Sequence, residues 1–484
     1  MMPNEQEGRR RVLRGAAFAV VAIVLVVLAA LVWRPLATGS ATSTPTSSAA
    51  AIVPSGSPAP GGSVAPGSPA PSATSSGGAA PSGSPAPSDS VPPSDSAPPS
   101  VSPSPGPSLV ASRLQRTLDR VRAKLSIPGV SVAIIWDDGR TWVGASGMRS
   151  VATGDPMTPG TAFAYASVSK TFTAAVVMQL VQEGKLTLAQ SVAPLLPQFK
   201  LDRRITVRML LDHTSGLPDF FLGKGIDKAL QGSPNASWTA AQSWAYVPRR
   251  HGVPGKAWSY SNTNYLLLGE LVAAVTGHPL AAEIRTRLLD PLGLSSAYYQ
   301  VIEAPKEAGT LAYVMSATST GRWRIRPVAA PSSVIPFRSV VSAAGGAGSM
   351  AGSALDAARW IRAWAGGRVL NAQTQALVMA DIARTVKLHA LVPYGLGIQR
   401  VTLNGYTALG HSGRYLGIRN VVRYLPDAGI TIAVLTNQSV YDPNRIATAL
   451  LAVVLPKQRP SPSQSVGASG PPASPAPSPA PSAS

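Results

Sequence analysis

The sequence contains no cysteine, and its charged residues are few and unequal in sign. Without cysteine the chain can form no disulfide bond and carries no acylated cysteine of the lipoprotein kind. Only 22 acidic side chains stand against 42 Lys and Arg, which gives a net charge of +20. Aromatic residues are only 6% of the chain, and no run alternates them with basic residues in the way that stacks bases. We therefore expect no nucleic-acid partner, and we interpret the charge as a solubility effect or as a surface near anionic cell-wall polymers or lipid.

Proline is concentrated outside the part of the chain that could fold. Of the 46 prolines, 17 lie within residues 45–107 and 8 within residues 460–481. Residues 37–108 carry only two charges, both aspartate, among Ser, Pro, Ala and Gly. Such a segment cannot offset its conformational entropy by burying apolar surface. We interpret residues 37–108 as a disordered linker and residues 458–484 as a disordered tail of the same composition.

One long apolar run precedes this linker. Residues 15–33 are 19 uncharged, mostly aliphatic residues, which as a helix reach about 28 Å, close to the hydrocarbon thickness of a bilayer. Four arginines precede the run and one follows it closely: Arg9, Arg10, Arg11, Arg14 and Arg34. This asymmetry keeps residues 1–14 in the cytoplasm and exports the rest. The sequence predicts an uncleaved signal-anchor in the cell membrane, and cleavage after a small residue such as Ala37 or Ala41 is the alternative, which would give a secreted protein.

Residues 109–457 have enough apolar content for a large core. Near the start of this domain, Gly129–Trp136 is apolar and rich in β-branched residues, residues 137–140 contain a turn signal, and residues 141–145 resume a strand pattern. These features predict an antiparallel pair joined by a hairpin. From Val168 to Gly184 apolar residues recur at helical spacing, which predicts a buried helix that ends at the glycine.

Ser167 and Lys170 stand three residues apart at the start of that helix, in the string SVSK. A serine at such a place is often only a helix cap. The same spacing puts both side chains on one face of the helix, where burial would lower the pKa of the lysine and make it a usable base for the serine hydroxyl. The pair alone is compatible with both interpretations.

Two further strings favour the catalytic interpretation. YSN places Tyr260 and Asn262 two residues apart before an apolar helix, and HSG, residues 411–413, precedes Ile418–Leu425, which has a strand pattern. In the order SVSK, YSN, HSG the chain resembles the serine penicillin-recognising enzymes, that is, class C beta-lactamases, D-alanyl-D-alanine carboxypeptidases and related esterases. Five longer strings fit the same resemblance, which spans almost all of residues 109–457: LLDHTSGLPD (210–219), DPLGL (290–294), AAGGAGSMAGSALDAARW (343–360), YGLGI (394–398) and PDAGITIAVLTNQ (426–438).

The resemblance implies an α+β fold, an antiparallel sheet flanked by helices and built from both ends of the domain, with a helical lobe inserted between them. It implies that Ser167 is the acylated nucleophile and that Lys170 keeps it activated. Tyr260 would be the second base, which relays the proton to the leaving group and activates water for deacylation.

The resemblance also implies four substrate-binding residues: Asn262, His411, Ser412 and Gly413. Asn262 would in addition orient Lys170. The backbone N–H groups of Ser167 and Arg414 would form the oxyanion hole, where charge develops on the attacked carbonyl oxygen. His411 stands where many relatives have lysine, facing the substrate carboxylate or the tyrosine hydroxyl, and a neutral histidine would hold a carboxylate less firmly. The Arg414 side chain either supplies the missing charge or faces solvent.

The other histidines show no pattern typical of a metal site. His213, in the string HTSG, is expected to have a structural, hydrogen-bonded role, and its neighbour Asp212 to be a turn residue. His251, His278 and His389 have no partner pattern, so neither a metal nor another cofactor is predicted.

Together these features predict an exported, membrane-anchored serine hydrolase that acts through an acyl-enzyme on a D-alanyl peptide, a beta-lactam or a small ester. Two alternatives belong to other classes. One is a wall-associated penicillin-binding or sensor module with little turnover, and the other is a purely structural tethered protein. Labelling with a fluorescent penicillin, followed by a screen of D-alanyl peptides and short-chain esters, separates them.

Overall fold

The structure is a computed structural model, and it describes residues 107–329 and 332–455. The predicted cytoplasmic segment, signal-anchor and tail, and nearly all of the predicted linker, lie outside the described residues. Within the described ranges no single helix has both the length and the apolar character to cross a bilayer. One bent pair, Asn262–Thr276 with Leu280–Leu289, meets both criteria when its two parts, inclined at 83°, are taken together.

Twelve strands and eleven α-helices lie in the described residues. The strands are β1 Gly129–Trp136, β2 Thr141–Ser150, β3 Asp155–Pro156, β4 Phe163–Ala164, β5 Tyr298–Tyr299, β6 Tyr313–Ala317, β7 Trp323–Pro327, β8 Met350–Gly352, β9 Gln399–Leu403, β10 Tyr406–Tyr415, β11 Ile418–Leu425 and β12 Ile430–Thr436. The helices are α1 Pro107–Lys124, α2 Ser169–Gln182, α3 Val207–Leu211, α4 Ile226–Gly232, α5 Ala240–Trp244, α6 Asn262–Thr276, α7 Leu280–Ile284, α8 Arg338–Ala344, α9 Ala354–Ala365, α10 Ala372–Lys387 and α11 Asn444–Val454. The long strands lie near both ends of the described chain, and most helices lie between them.

Seven strands form one antiparallel sheet in the spatial order β3-β2-β1-β12-β11-β10-β9. The first strand, β1, pairs with the last, β12, from Val130 opposite Thr436 to Trp136 opposite Ile430. On its other side β1 pairs with β2 through the predicted hairpin. The sheet is therefore built from both ends of the domain, which confirms the predicted α+β architecture.

Helices cover both faces of the central strands, and this explains why β1 and β12 are buried and mostly apolar along almost their whole length. On one face Val132 packs with Leu118 of α1 and Leu450 of α11. On the other face Ala133 belongs to the same cluster as Trp360 of α9. Each large apolar side chain that leaves water in this way contributes about 1.5–3 kcal/mol to stability. The alternation of strand side chains thus divides the core into two layers with the sheet between them.

The helical lobe between β4 and β9 is organised around α2. This helix is buried on nearly all sides, and its Phe172 stacks on Trp360 with ring centroids 4.1 Å apart. A short 3₁₀ turn, Ala166–Val168, precedes α2 and lies against β10 of the main sheet. The start of α2 is therefore a rigid base at the junction of sheet and lobe.

The predicted hairpin differs from the structure only in length. β2 continues to Ser150, past the predicted end at residue 145. Ser146 and Gly147 still pair with β1, and beyond them Met148 and Ser150 pair with β3. Burial in this extension does not alternate along the strand, so its strand conformation depends on pairing with β1 and β3 and not on an apolar pattern.

Candidate active site

Ser167 lies in the 3₁₀ turn directly before α2. Its neighbour Ala166 has φ of 50°, in the left-handed region, where a residue other than glycine carries about 1–3 kcal/mol of strain. The backbone N–H of Tyr165 donates to the carbonyl oxygen of Met350 at 2.8 Å and so fixes the start of the turn. Ser167 is half-buried, and its side chain faces a cavity.

Lys170 is completely buried next to this serine. Its Nζ lies 3.1 Å from Ser167 Oγ, 2.7 Å from Asn262 Oδ1 and 2.8 Å from the backbone oxygen of Ala347. These partners belong to the turn before α2, to the first residue of α6 and to the short turn Gly345–Ala347. Three separate elements thus fix the position of the amine.

The protonation state of Lys170 determines what this arrangement can do. Burial lowers the pKa of Lys170 to about 7, and the negative charge of Asp219 opposes the shift. Near neutral pH much of the lysine is therefore a neutral amine, which has two N–H donors and one lone pair. The carbonyl oxygens of Asn262 and Ala347 can only accept hydrogen bonds, so they take the two N–H groups. The lone pair then faces the Ser167 hydroxyl, and Lys170 can accept its proton.

Asp219 is a part of this site that could not be singled out from the sequence. Its Oδ2 accepts a hydrogen bond from Asn262 Nδ2 at 2.6 Å, and its Oδ1 accepts one from the N–H of Phe221 at 3.0 Å. Burial raises the pKa of Asp219, although these hydrogen bonds and the nearby lysine work in the other direction. Asp219 lies in the string LLDHTSGLPD, but no spacing rule relates it to Asn262, 43 residues further on.

Tyr260 completes the set around the serine hydroxyl. Its phenol group is hydrogen-bonded to Ser167, and Lys170 Nζ lies 5.1 Å from the centroid of its ring. Burial raises the pKa of Tyr260 above its ordinary value, and the hydrogen bond with Ser167 opposes the shift. At neutral pH Tyr260 is therefore a neutral phenol, which can pass a proton on but is not a standing base.

His213 packs against the ring of Tyr260, with centroids 4.4 Å apart. Its Nδ1 accepts a hydrogen bond from the N–H of Ser261 at 3.2 Å and lies 3.2 Å from Asn264 Nδ2. Burial lowers the pKa of His213 well below its ordinary value, so the ring is neutral. These contacts match the structural, hydrogen-bonded role predicted from the sequence.

Asp212, predicted as a turn residue, has a larger structural role. It is completely buried at the end of α3, where it forms an ion pair with Arg384 of α10. It also accepts a hydrogen bond from the hydroxyl of Thr214 at 2.6 Å. The backbone of the intervening His213 has φ of 64°. Asp212 therefore stabilises the unusual loop that carries the histidine.

His411 lies in β10 and is buried. Its Nε2 is 2.9 Å from the hydroxyl of Tyr394, and its Nδ1 is 2.6 Å from the carbonyl oxygen of Ser412. Because the carbonyl can only accept, Nδ1 carries the proton and Nε2 accepts from Tyr394. Burial lowers the pKa of His411 to about 3, and the charge of Lys170 adds to the effect. The histidine therefore supplies no positive charge near neutral pH, and the tyrosine hydroxyl it contacts is that of Tyr394, not of Tyr260.

The rest of the HSG string brings β10 close to the nucleophile. A Cβ atom on Gly413 would clash with the carbonyl oxygen of Tyr165, so only glycine permits this approach. Ser412 is fixed by Gln399 of β9, whose Oε1 accepts from the Ser412 N–H at 3.1 Å. Arg414 follows with an exposed side chain. Ser167 and Arg414, whose backbone N–H groups are the predicted oxyanion hole, thus line the same cavity.

A cavity of about 480 Å³ connects these groups. Seven predicted site residues line it: Ser167, Tyr260, Asn262, His411, Ser412, Gly413 and Arg414. The eighth, Lys170, does not line the cavity but contacts two residues that do, Ser167 and Asn262. Three arginines, Arg414, Arg419 and Arg423, line the cavity, and the one carboxylate among its described lining residues is that of Asp442. The structure therefore brings all the predicted site residues together and gives the cavity a positively charged wall.

A larger cavity, of about 630 Å³, lies elsewhere and carries a different set of residues. It is bordered by α5, α6 and α8, with a mostly apolar lining that includes Trp238, Leu266 and Glu270. None of Ser167, Lys170 and Tyr260 lines it. The size of a cavity is therefore a poor guide to the active site here.

Comparisons with known proteins agree on one family. The family described as Beta-lactamase matches residues 114–455. Penicillin-binding protein 4 of Amycolatopsis lactamdurans is 31% identical over 342 residues, which cover 67% of this chain and 85% of that protein.

Solved structures share the fold. D-stereospecific amidohydrolase from Streptomyces sp. has a TM-score of 0.58 and 26% identity, over 70% of this chain and 98% of that one. D-amino acid amidase from Ochrobactrum anthropi SV3 has a TM-score of 0.60 and 23% identity, over 71% and 98% of the two chains. The second likeness concerns the fold alone. The family match includes every site residue described above and covers most of the chain, so the chain belongs to the beta-lactamase family of serine hydrolases.

Proposed function

We propose that this protein hydrolyses amide or ester bonds at D-amino acid residues, through an acyl-enzyme on Ser167. D-alanyl peptides, beta-lactams and small esters are the substrate classes. The 3.1 Å contact between the fully buried Lys170 Nζ and the Oγ of Ser167, which faces the cavity, carries the proposal. Support for D-amino acid substrates comes from the similar structure named D-stereospecific amidohydrolase, and support for beta-lactams from the relative named penicillin-binding protein 4.

The proposed reaction has two half-reactions. In the first, Ser167 Oγ attacks the substrate carbonyl carbon while its proton moves to the lone pair of Lys170. Negative charge then develops on the carbonyl oxygen, which accepts from the backbone N–H groups of Ser167 and Arg414. When the bond to the leaving nitrogen or oxygen breaks, the leaving group takes a proton through Tyr260, which is replenished from Lys170. In the second half-reaction water attacks the ester, its proton follows the reverse route, and Ser167 is restored.

The charge of the cavity supports a substrate that carries a carboxylate. His411 is neutral, so it does not supply the positive charge of the lysine that many relatives have at this position. Arg414, Arg419 and Arg423 surround the same cavity, and their field attracts an anion even without direct contact. The terminal carboxylate of a D-alanyl peptide would face this wall.

A test of the proposal measures the covalent intermediate directly. Intact-protein mass spectrometry after incubation with an activated D-alanyl ester, or with a penicillin, should show an adduct of one acyl group. Ser167→Ala should lose the adduct and keep its fold, because the change removes the nucleophile and little packing. An adduct that persists in the Ser167→Ala variant would assign the nucleophile to another residue.

A second candidate function, a penicillin-binding or sensor module with little turnover, is favoured by the environment of Tyr260. Burial raises its pKa, which disfavours the phenolate that would activate water in deacylation. In that case the acyl-enzyme forms but persists for hours. The lifetime of the adduct after removal of excess probe separates the two functions, since an enzyme releases it within seconds to minutes.

We also propose that the domain works outside the cytoplasm, attached to the membrane by residues 15–33. The linker of about 70 residues would have an end-to-end distance of about 45 Å as a flexible coil. That reach would let the domain meet wall polymers at some distance from the bilayer. Fractionation and protease accessibility test the proposal. A domain protected in the cytoplasm contradicts it, while a soluble form in the medium contradicts only the uncleaved anchor.

A further inference from the structure

The side-chain amide of Asn262 has two ends in two different environments. Its oxygen faces the amine, 2.7 Å from Lys170 Nζ, and its nitrogen donates to Asp219 Oδ2 at 2.6 Å. The two ends are similar in size, so packing alone does not distinguish this orientation from the reversed one. A neighbour that can only donate or only accept is needed to select it.

Asp219 is such a neighbour. Its carboxylate accepts from Asn262 Nδ2, from the backbone N–H of Asn262 and from the N–H of Phe221. An ionised carboxylate has no proton to donate, so a reversed amide would place two acceptors, Asn262 Oδ1 and Asp219 Oδ2, against each other. The observed orientation is the one that satisfies both groups.

We propose that Asp219 is a positioning residue for the acyl transfer, and that by fixing the direction of the Asn262 amide it directs the lone pair of Lys170 toward Ser167. The inference rests on the proposed function, because it concerns how the nucleophile of that reaction is activated. Asp219 does not line the cavity that contains Ser167, and its side-chain hydrogen bonds are with Asn262 and Phe221.

The consequence follows from the donors around the amine. Ala347 supplies one obligatory acceptor and Asn262 Oδ1 the second, so both N–H groups of the neutral amine are used. With the amide reversed, Asn262 Nδ2 would face Lys170 and would donate to its lone pair. An N–H of the amine would then point at Ser167, and the serine would lose its proton acceptor.

A purely structural role for Asp219 can be separated from this one. Its Oδ1 caps the short helical turn Phe220–Leu222 by accepting from Phe221, and this needs only one of the two oxygens. An asparagine at 219 can keep that cap through its own oxygen. Its NH₂ group would then face the NH₂ of Asn262, and the Asn262 amide would have to turn.

The experiment compares three variants of the full-length chain by the rate of acylation with an activated D-alanyl ester. Asp219→Asn removes the obligatory acceptor. The double variant Asp219→Asn, Asn262→Asp exchanges the two groups, so that residue 219 donates to a carboxylate at 262, which still accepts from Lys170. Asp202→Asn is the matched control, because Asp202 is exposed and only accepts hydrogen bonds from Arg204 in a local turn.

The pH profile supplies a readout that a structural role would not change. The charged and titratable groups around Lys170 are Asp219, His213, His411, Tyr260 and Tyr265. Loss of the Asp219 charge should move the acid limb of the acylation rate to lower pH, because Asp219 favours protonated Lys170. A carboxylate at 262, directly against the amine, should move the limb to higher pH.

We expect Asp219→Asn to reduce acylation by about 10-fold or more on the plateau, within the contribution of general-base catalysis. The double variant should recover most of this rate above its raised limb, and Asp202→Asn should match wild type. A plateau rate of Asp219→Asn within about threefold of wild type would overturn the proposal, and so would a double variant no faster than the single one.

If wild type forms no adduct with any probe, the proposed function fails, and the effect of residues 219 and 262 on the amine is then measured by titration of Lys170. NMR of ¹³C-labelled lysine should show the Lys170 pKa lower than in wild type for Asp219→Asn, and higher for the double variant. Unchanged titration in both would refute the positioning role independently of catalysis.

Discussion

The carbonyl oxygen of Ala347 lies 2.8 Å from Lys170 Nζ, although 177 positions of sequence separate the two residues. This oxygen takes one N–H of the amine and so helps to point the lone pair at Ser167. The turn Gly345–Ala347 is itself closely packed, since a Cβ on Gly346 would lie 2.6 Å from the backbone oxygen of Tyr265. The activation of the nucleophile therefore depends on a turn that contributes no functional side chain.

Acylation should depend on pH through Lys170. The folded-state pKa of Lys170 is lowered by burial to about 7, so the amine is protonated and inactive below that value and is available above it. We expect kcat/KM for an uncharged ester to rise with pH and to level off above about pH 8. Stopped-flow or initial-rate measurements between pH 5 and 9 test this. A limb near pH 10, the ordinary range of lysine, would contradict the assignment of Lys170 as the base.

Tyr260→Phe should lower turnover of a good ester substrate by about 100-fold or more, since the phenol passes protons in both half-reactions. Affinity for a non-reactive analogue should change little, because the ring and its packing on His213 remain. Steady-state kinetics and calorimetry with the analogue give the two quantities. Equal turnover in the variant and in wild type would assign the proton transfer to Lys170 alone.

Gly413→Ala should reduce acylation by about 100-fold, the effect of losing one oxyanion-hole donor. The added Cβ would clash with the carbonyl oxygen of Tyr165, so β10 must move away from the turn that carries Ser167. Gly232→Ala is the control, because no atom lies within 4 Å of a Cβ at that position. Acylation rates and thermal unfolding of both variants are measured together. Normal acylation by Gly413→Ala would show that β10 does not supply the oxyanion donor.

His411 should make the fold sensitive to acid. Its folded pKa of about 3 lies below the ordinary value of 6.5, so between these values the unfolded chain binds a proton that the folded chain does not. The stability contributed by the neutral histidine is complete above pH 6.5 and is lost as the pH falls toward 3. Between pH 6.5 and 5 this amounts to about 2 kcal/mol.

Urea unfolding of wild type and His411→Gln at the two pH values measures the effect. The variant starts from a lower stability, because glutamine does not reproduce both hydrogen bonds of the ring. Its free energy of unfolding should nevertheless fall less between pH 6.5 and 5 than that of wild type. Parallel losses in the two proteins would mean that other groups, such as the buried His213, account for the acid sensitivity.

The sequence predicted the functional side chains better than the residues that hold them in position. Ser167 and Lys170 could be paired because a helix brings residues three apart onto one face, and resemblance to a family joined them to Tyr260 and His411. Asp219 acts through a contact across 43 residues, and no local pattern marks it. The neutral state of His411 also depends on burial by the assembled lobe and sheet, which periodicity does not describe.

Secondary structure, too, was predictable where it depends on local pattern and not where it depends on pairing with a distant segment. β1 was predictable because both of its faces are buried and all but one of its residues, Ser131, are apolar. The last part of β2 was not, because residues 146–150 have no apolar alternation and are strand through their pairing with β1 and β3. The family resemblance implied a sheet built from both ends of the domain, but not the number or order of its seven strands, because the pairing of the first strand with the last leaves no local trace in the sequence.

The pairing of β1 with β12 has a consequence for the order in which the protein becomes functional. A chain that emerges N-terminus first presents β1, β2 and the Ser167 turn long before β10 and β12 exist. Until β10 is available no strand of the main sheet lies against the Ser167 turn, and until β12 is available one edge of β1 has no partner. Formation of such distant contacts is slow, because a long loop must close first. The ability to be acylated should therefore appear in a single late step of folding, and a chain truncated before β10 should be inert toward any acylating probe.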